Sequence, residues 1–340
     1  MNHKVIAKDG IREFIDGLIE EYRVFAPVEG KKILRLREIS SGEEACLDFY
    51  NTKMSSKEAL FPQNEVLFTY KKDREAIEKE ATSPMKREQV LFGVRPCDAK
   101  GVTLTDVFFS SGEHRDQPYL EKRDRTAIVG LACNRPLNTC FCTSTGGSPF
   151  GKEGMDLLLV DLGERYLVEI LTERGERLLG AAHGLRDATE EDMKLAQRLS
   201  NEADKAFSKE LPTEGLSERL DGMFEDPIWD TIHQKCVGCG ICTFVCPTCW
   251  CFDVVDEEKA NGAIRIRLWD TCQLPLFTLQ GSGFNPRPSG KERLRQRVMH
   301  KLNYFPKEFG SLACVGCGRC VRECPVNLDI REIIETIMSM

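Results

Sequence analysis

Residues 236–247 read Cys-Val-Gly-Cys-Gly-Ile-Cys-Thr-Phe-Val-Cys-Pro, and residues 314–325 read Cys-Val-Gly-Cys-Gly-Arg-Cys-Val-Arg-Glu-Cys-Pro. Each run places three cysteines at intervals of two residues and a fourth cysteine directly before a proline. This is the ferredoxin spacing for [4Fe–4S] clusters, in which the fourth cysteine of one run binds the cluster of the other. The two runs therefore predict two [4Fe–4S] clusters and a ferredoxin-like arrangement of the chain around them.

The same spacing predicts which cysteines share a cluster. We assign Cys236, Cys239, Cys242 and Cys324 to the first cluster, and Cys246, Cys314, Cys317 and Cys320 to the second. The alternative is zinc, whose sites usually consist of two separated Cys-x-x-Cys pairs. Three closely spaced cysteines followed by Cys-Pro favour iron–sulfur clusters, which carry single electrons.

The composition narrows the class of protein further. A chain of 340 residues, 41% hydrophobic and 30% charged, is long enough for two domains with their own cores. Its net charge of −7 argues against a nucleic-acid partner. No apolar run approaches the ~20 residues that span a bilayer, which excludes membrane insertion, and the N-terminus favours an amphipathic helix over a signal peptide. Sixteen cysteines without export indicate thiolate ligands in a reducing compartment, so we expect a cytoplasmic protein.

The order of predicted elements indicates two domains. An α/β N-terminal domain (1–210) is followed by a linker (211–226) and an α+β dicluster ferredoxin-like domain (227–340), which carries an insertion (248–312) between the two cluster motifs. The predicted strands are Val66–Tyr70, Gln89–Val94, Ala127–Leu131, Leu157–Asp161, Tyr166–Leu171, Phe252–Asp256 and Ile264–Trp269. Apolar residues at helical spacing predict helices near the N-terminus, after a capping box at Thr189, from Lys291 to Tyr304 and from Asp329 to Met338.

The helix from Lys291 to Tyr304 carries a basic face. Its members are Arg293, Arg295, Arg297 and Lys301. Such faces are usually solvated, and the sharper hypothesis is that this one docks an acidic redox partner. Both interpretations place the four side chains at the surface.

Four further cysteines follow two of the predicted strands. Cys97 comes after the strand Gln89–Val94, and Cys133, Cys140 and Cys142 come after the strand Ala127–Leu131. If the strands are parallel neighbours, both loops emerge at the carboxyl edge of one sheet, where α/β folds build their sites. Four thiols match the ligand count of a third [4Fe–4S] cluster, and buried or zinc-bound thiols are the alternative.

The remaining candidates carry less information. Cys249, Cys251 and Cys272 are one thiol short of a cluster and favour a structural role, although a non-cysteine ligand or a neighbouring subunit could complete a site. Residues 146–149 read Gly-Gly-Ser-Pro, which is more typical of a turn than of a phosphate loop. We find no nucleophile–base pattern, so the sequence predicts electron carriers without a substrate-converting site of their own.

Several motifs together carry a family resemblance. They are Met54–Pro62, Gly93–Asp98, Cys133–Cys142, the two cysteine runs through Asp329, Trp269–Cys272, Asn285–Pro288 and His300-Lys301. The chain resembles the family that contains the [4Fe–4S] electron-transfer component of anaerobic sulfite reductase and the beta subunit of cytoplasmic sulfhydrogenases. This resemblance covers most of the chain.

The resemblance implies a [4Fe–4S] dicluster electron-transfer subunit of a multisubunit oxidoreductase of anaerobic metabolism. Its implied partners are a flavin/[2Fe–2S] subunit of ferredoxin-reductase type that handles NAD(P)H, and a catalytic subunit of sulfite reductase or [NiFe] hydrogenase type. Two alternatives stay open: the electron-input subunit of a heterodisulfide-reductase-like complex, and an iron–sulfur module that senses or binds.

Overall fold

The structure is a computed structural model that describes residues 3–31, 33–72, 77–81, 85, 87–207, 209–260 and 262–340. The described residues form two sheets, one of eight strands and one of four. The strands are β1 His3–Ala7, β2 Arg23–Glu29, β3 Leu34–Glu38, β4 Asn64–Lys72, β5 Ile77–Ala81, β6 Gln89–Val94, β7 Thr126–Leu131, β8 Leu157–Asp161, β9 Arg165–Ile170, β10 Arg186–Asp187, β11 Phe252–Lys259 and β12 Gly262–Trp269. All seven strands that the sequence predicts are present, with ends that differ by a few residues.

The helices connect these strands and build the C-terminal part. They are α1 Gly10–Glu21, α2 Lys57–Leu60, α3 Pro96–Ser110, α4 Gln117–Asp124, α5 Glu173–Leu178, α6 Glu190–Lys205, α7 Leu216–Leu220, α8 Ile228–Ile232, α9 Ile241–Phe244, α10 Gly290–Met299, α11 Phe305–Phe309, α12 Arg319–Arg322 and α13 Ile330–Ser339. A π-helical turn, His300–Tyr304, joins α10 to α11. The capping box predicted at Thr189 is confirmed, because the Thr189 side chain and the Asp192 carboxylate bond each other's backbone N–H.

The large sheet has the strand order β10-β1-β9-β8-β7-β6-β2-β3. Its centre is parallel, since β6 pairs in parallel with both β2 and β7, and β7 with β8. Apolar side chains project from both faces of the sheet. Val90 and Phe92 pack with Phe14 of α1 on one face, whereas Leu91 belongs to the hydrophobic core that contains Val102 of α3 on the other. Because both faces are covered, the central strands are continuous apolar runs.

The small sheet has the order β11-β12-β4-β5. It joins β4, which precedes the predicted linker, to β11 and β12 of the predicted insertion, with Ile264 opposite Thr69. The chain is thus a mixed α/β protein in which the insertion is tied to the N-terminal part by antiparallel pairing. The division at residues 211–226 stays a prediction.

The C-terminal helices enclose a third core. Trp229 of α8, Val298 of α10, and Ile334 and Ile337 of α13 are fully buried together. The apolar stripe predicted on the last helix accordingly faces inward and covers the two cysteine runs.

Candidate iron–sulfur site

The first cavity lies between the first cysteine run and the start of α13. It is lined by Cys236, Cys239, Cys242, Cys320 and Cys324, together with Arg297, Ile330 and Ile333. Three thiols of the first run thus meet the proline-linked thiol of the second run. Burial raises the pKa of the Cys242 thiol, an effect that the Arg297 guanidinium opposes.

The second cavity lies beside the second cysteine run. It is lined by Cys246, Cys314, Cys317 and Cys320, together with Phe141, Arg297 and Lys301. Here the proline-linked thiol of the first run joins three thiols of the second. Burial raises the pKa of Cys317 to about 12, which means that a bare thiol stays protonated at neutral pH until a metal displaces the proton.

The third cavity lies at the carboxyl edge of the large sheet. β6 and β7 are parallel neighbours, which is the condition that the predicted third site required, so the loops that follow them leave the sheet side by side. The cavity is lined by Cys97, Cys133, Cys140 and Cys142, together with Arg95, Gly316 and Cys317. Burial raises the pKa of Cys142 to about 12, and the charges of Cys140 and Cys133 add to this effect.

The three cavities form a series with shared walls. Cys320 and Arg297 line both the first and the second cavity, and Gly316 and Cys317 line both the second and the third. Because neighbouring cavities share lining residues, groups held in them would lie close together.

Two glycines set the contact between the second and third cavities. Gly316 and Gly318 both have positive φ, 61° and 70°. A Cβ on Gly316 would lie 2.5 Å from backbone atoms of Cys142, and one on Gly318 would lie 2.5 Å from the Thr139 carbonyl. Only glycine meets both requirements, which is why the second cysteine run can lie directly against residues 139–142.

The basic face predicted on α10 points inward, which corrects both interpretations offered for it. Arg295 is 8% exposed, Arg297 5% and Lys301 2%. Arg295 contacts Phe224 and Glu225, whereas Arg297 and Lys301 line the cysteine cavities. The spacing correctly predicted a helix, but the predicted surface position was wrong for Arg295, Arg297 and Lys301, whereas Arg293 is half-buried.

Buried cations show what kind of group the cavities fit. Burial lowers the pKa of Arg297, but the charges of the surrounding cysteines, with those of Cys242 and Cys320 the largest, together raise this pKa well above its ordinary value. Lys301, held by the π-helical turn, donates from Nζ to Thr248 Oγ1 at 2.8 Å and to the Ala313 carbonyl. Cations buried beside thiols call for an anion, and a thiolate-bound [4Fe–4S] cluster is one.

The arrangement of the candidate ligands also distinguishes a cluster site from a site for a single metal ion. Within the part of the chain that the structure describes, no three His, Cys, Asp or Glu side chains are grouped to hold one metal ion. Zinc needs four donors at about 2.0–2.3 Å from one point. Thiols that line one cavity without meeting at a single point instead suit a multinuclear cluster.

An ion pair joins the second cavity to the third. Arg319, within the second cysteine run, is fully buried and donates from Nη1 and Nη2 to Asp98 Oδ1 and Oδ2 at 2.5 and 2.7 Å. Its Nε donates to the Thr52 carbonyl at 2.9 Å. Since Asp98 directly follows Cys97, this pair fixes two cysteine loops to each other.

The three cysteines left without an assignment make thiol–thiol contacts. Cys249 donates a hydrogen bond to Cys246, which holds the pKa of Cys246 well below its usual range. Cys251 does the same for Cys272, whose pKa falls to about 6. The Nζ of Lys57 donates a hydrogen bond to the Cys249 carbonyl at 2.6 Å. It also lies over the Trp269 ring, 4.2 Å from the ring centroid, in a cation–π contact. The structural role that the sequence favours for these three cysteines stays a prediction.

Sequence reasoning missed the charged residues that support the cavities. Arg95, Arg297, Lys301 and Arg319 all line a cavity or fix its loops, and the sequence patterns assigned none of them that role. A signal was present for Arg95 and Arg319, since each stands close to a candidate ligand cysteine in sequence. No such signal exists for Arg297 and Lys301, which lie far from any cysteine in sequence.

Comparison with known proteins defines the class of this protein. The profile of a 4Fe-4S dicluster domain matches residues 235–328, the segment that contains both cysteine runs. The chain is therefore an iron–sulfur protein of electron transport with a dicluster domain in its C-terminal part.

The full length of the chain is similar to a characterised subunit. It is 35% identical over 328 residues to the sulfhydrogenase 2 subunit beta of Pyrococcus furiosus, covering 96% of this chain and 95% of that protein. The chain belongs to the family of this sulfhydrogenase beta subunit, so it is the homologue of a component of an oxidoreductase complex. No solved structure matches the chain. Within the described residues, no helix has the length and apolar character needed to cross a bilayer.

Proposed function

We propose that this chain relays single electrons through three [4Fe–4S] clusters, one in each cysteine-lined cavity. The observation that carries the proposal is the series of three cavities with shared walls. When bound, the clusters accept and donate one electron each, with potentials set by their surroundings. The side chains of this protein hold the clusters, exclude water and supply the local charge.

The ligand sets follow the lining of the cavities. Cys236, Cys239, Cys242 and Cys324 hold the cluster of the first cavity. Cys246, Cys314, Cys317 and Cys320 hold that of the second. Cys97, Cys133, Cys140 and Cys142 hold that of the third. Cys317 and Cys320 each border two cavities, and the ferredoxin spacing assigns both to the second cluster.

The proposed partners sit at the two ends of the series. The first cavity reaches the surface at Cys239 and at Val237, which is 64% exposed, and the third at Tyr50, which is 49% exposed. One end would receive an NAD(P)H-linked flavin/[2Fe–2S] subunit. The other end would receive a catalytic subunit of sulfite reductase or [NiFe] hydrogenase type. The chain itself then needs no substrate-converting site.

The electron-transfer role is tested in the native complex. Anaerobic addition of NADH or NADPH is expected to reduce the clusters of this chain, seen as new [4Fe–4S] EPR signals. The chain purified without its partners is expected to respond to dithionite but not to the nucleotide. A chain that isolates without any flavoprotein, or clusters that stay oxidised in the intact complex, would favour a sensing or binding module instead.

The third cluster is tested by counting iron. Wild-type protein should contain about twelve irons per chain, and Cys140→Ser about eight, because loss of one of four thiolates prevents cluster assembly. The matched control is Cys46→Ser, since Cys46 lines none of the three cavities and its thiol contacts the Asp48 carbonyl. About eight irons in both the wild type and Cys140→Ser would leave two clusters and make the third group ordinary thiols.

A further inference from the structure

Arg297 occupies an unusual position for a buried cation. Its side chain, on the inner face of α10, lines the first cavity together with Cys242 and also lines the second cavity together with Cys246. A side chain that borders both cavities will act on whatever charge each one holds.

The guanidinium of Arg297 makes few hydrogen bonds to the protein around it. Nη2 donates to the Cys242 carbonyl at 3.5 Å, a long hydrogen bond, and within the described residues Nε is buried without any partner. Two other buried arginines pair with carboxylates: Arg319 with Asp98, and Arg267 with Glu65 and Asp116. Apart from burial itself, the groups that act most strongly on the charge of Arg297 are cysteine thiolates rather than a carboxylate.

A buried cation without a counter-ion is strongly unfavourable, so this position calls for an anion on both sides. A [4Fe–4S] cluster with thiolate ligands is negatively charged and gains one more negative charge on reduction. A fixed cation at its edge stabilises the reduced form more than the oxidised form, because the attraction grows with the added charge. Local charge of this kind is one of the factors that set cluster potentials.

We propose that Arg297 is the shared counter-cation of the first and second clusters and raises the reduction potential of both. This inference rests on the proposed function, because it requires clusters in both cavities. Arg297 acts through its positive charge and makes no bond to iron. Since one side chain serves two clusters, a single substitution should move two potentials together.

The test compares two arginines of the same helix in the full-length chain, purified anaerobically. Arg297→Gln removes the charge at the shared wall. Arg295→Gln removes a comparably buried charge that lines neither cavity and pairs with Glu225. Iron per chain is measured first, and each cluster is then titrated with dithionite and followed by EPR.

In Arg297→Gln, both reduction equilibria are expected to shift at least tenfold toward the oxidised form, which is about 59 mV for a one-electron couple. Arg295→Gln should have the same reduction potentials as the wild type. Arg297→Lys keeps the charge, so its potentials should lie close to those of the wild type. Retained clusters with unchanged potentials in Arg297→Gln, or a shift in only one of them, would overturn the inference.

If Arg297→Gln loses its iron, the Arg297→Lys variant decides how that loss is interpreted. If Arg297→Lys recovers both clusters, the charge is required for their assembly and the inference stands. If Arg297→Lys lacks iron as Arg297→Gln does, while Arg295→Gln contains its clusters, then the shape of the Arg297 side chain is required rather than its charge. The inference then fails. A wild-type chain without iron would instead refute the proposed function itself.

Discussion

Replacing Cys324 with serine is expected to remove the cluster of the first cysteine run, although Cys324 belongs to the second run in sequence. The reason is that Cys324 lines the first cavity beside Cys236, Cys239 and Cys242, whereas Cys246 lines the second. A serine hydroxyl is a harder ligand than a thiolate and binds iron of a cluster poorly. Iron per chain should fall by about four, the content of one cluster.

Reference variants identify which cluster is lost. Cys324→Ser should give the same EPR spectrum after dithionite reduction as Cys236→Ser, and a different spectrum from Cys314→Ser. The reciprocal variant, Cys246→Ser, should match Cys314→Ser. If Cys324→Ser instead resembles Cys314→Ser, the crossed assignment of the two proline-linked cysteines is wrong.

The second large effect is expected from the buried pair of Arg319 and Asp98. Arg319→Leu leaves the Asp98 carboxylate, which is 3% exposed, without its bidentate partner. Breaking a buried pair by removing one member costs about 3–5 kcal/mol, because an uncompensated charge remains in the interior. The loss should appear as a lower urea midpoint of the anaerobic, cluster-loaded protein with an unchanged slope.

An exposed pair of the same composition provides the control. Arg265 and Asp256 form a bidentate contact across β11 and β12, with nitrogen–oxygen distances of 2.8 and 2.6 Å. Arg265→Leu should leave the urea midpoint nearly unchanged, because water solvates the remaining carboxylate. In the double variant Arg319→Leu/Asp98→Asn, part of the loss should be recovered. Equal midpoints for Arg319→Leu and Arg265→Leu would show that the buried pair contributes nothing to stability.

Local sequence patterns were sufficient for much of the secondary structure. The apolar run Gln89–Val94 forms a strand with those bounds, and the stripe of isoleucines after Asp329 forms a buried helix. Both patterns depend on neighbours within a few residues, where the period of the side chains decides which face is buried. The parallel pairing of β6 and β7, which the sequence analysis took only as a condition, is supplied by the structure.

The basic face of α10 shows where this reasoning stops. Its spacing correctly indicated a helix, but charge alone suggested solvent for Arg297 and Lys301, and both are buried. Their environment comes from Cys242, Cys246 and Ala313, which belong to other segments of the chain. Where a charged side chain lies depends on which opposite charges the fold brings to it, and no local pattern contains that information.

The sequence by itself determined the chemistry of this protein, because the spacing of thiolates within a short loop is a local property that suits the geometry of a cluster. It also determined the principal strands and helices through their periodicity. Only the tertiary structure decided that three cysteine groups form a series with shared walls, that β4 joins the strands of the insertion, and that Arg297 stands between two cavities. Those relations depend on contacts between distant segments, where packing and the pairing of buried charges, rather than local spacing, set the outcome.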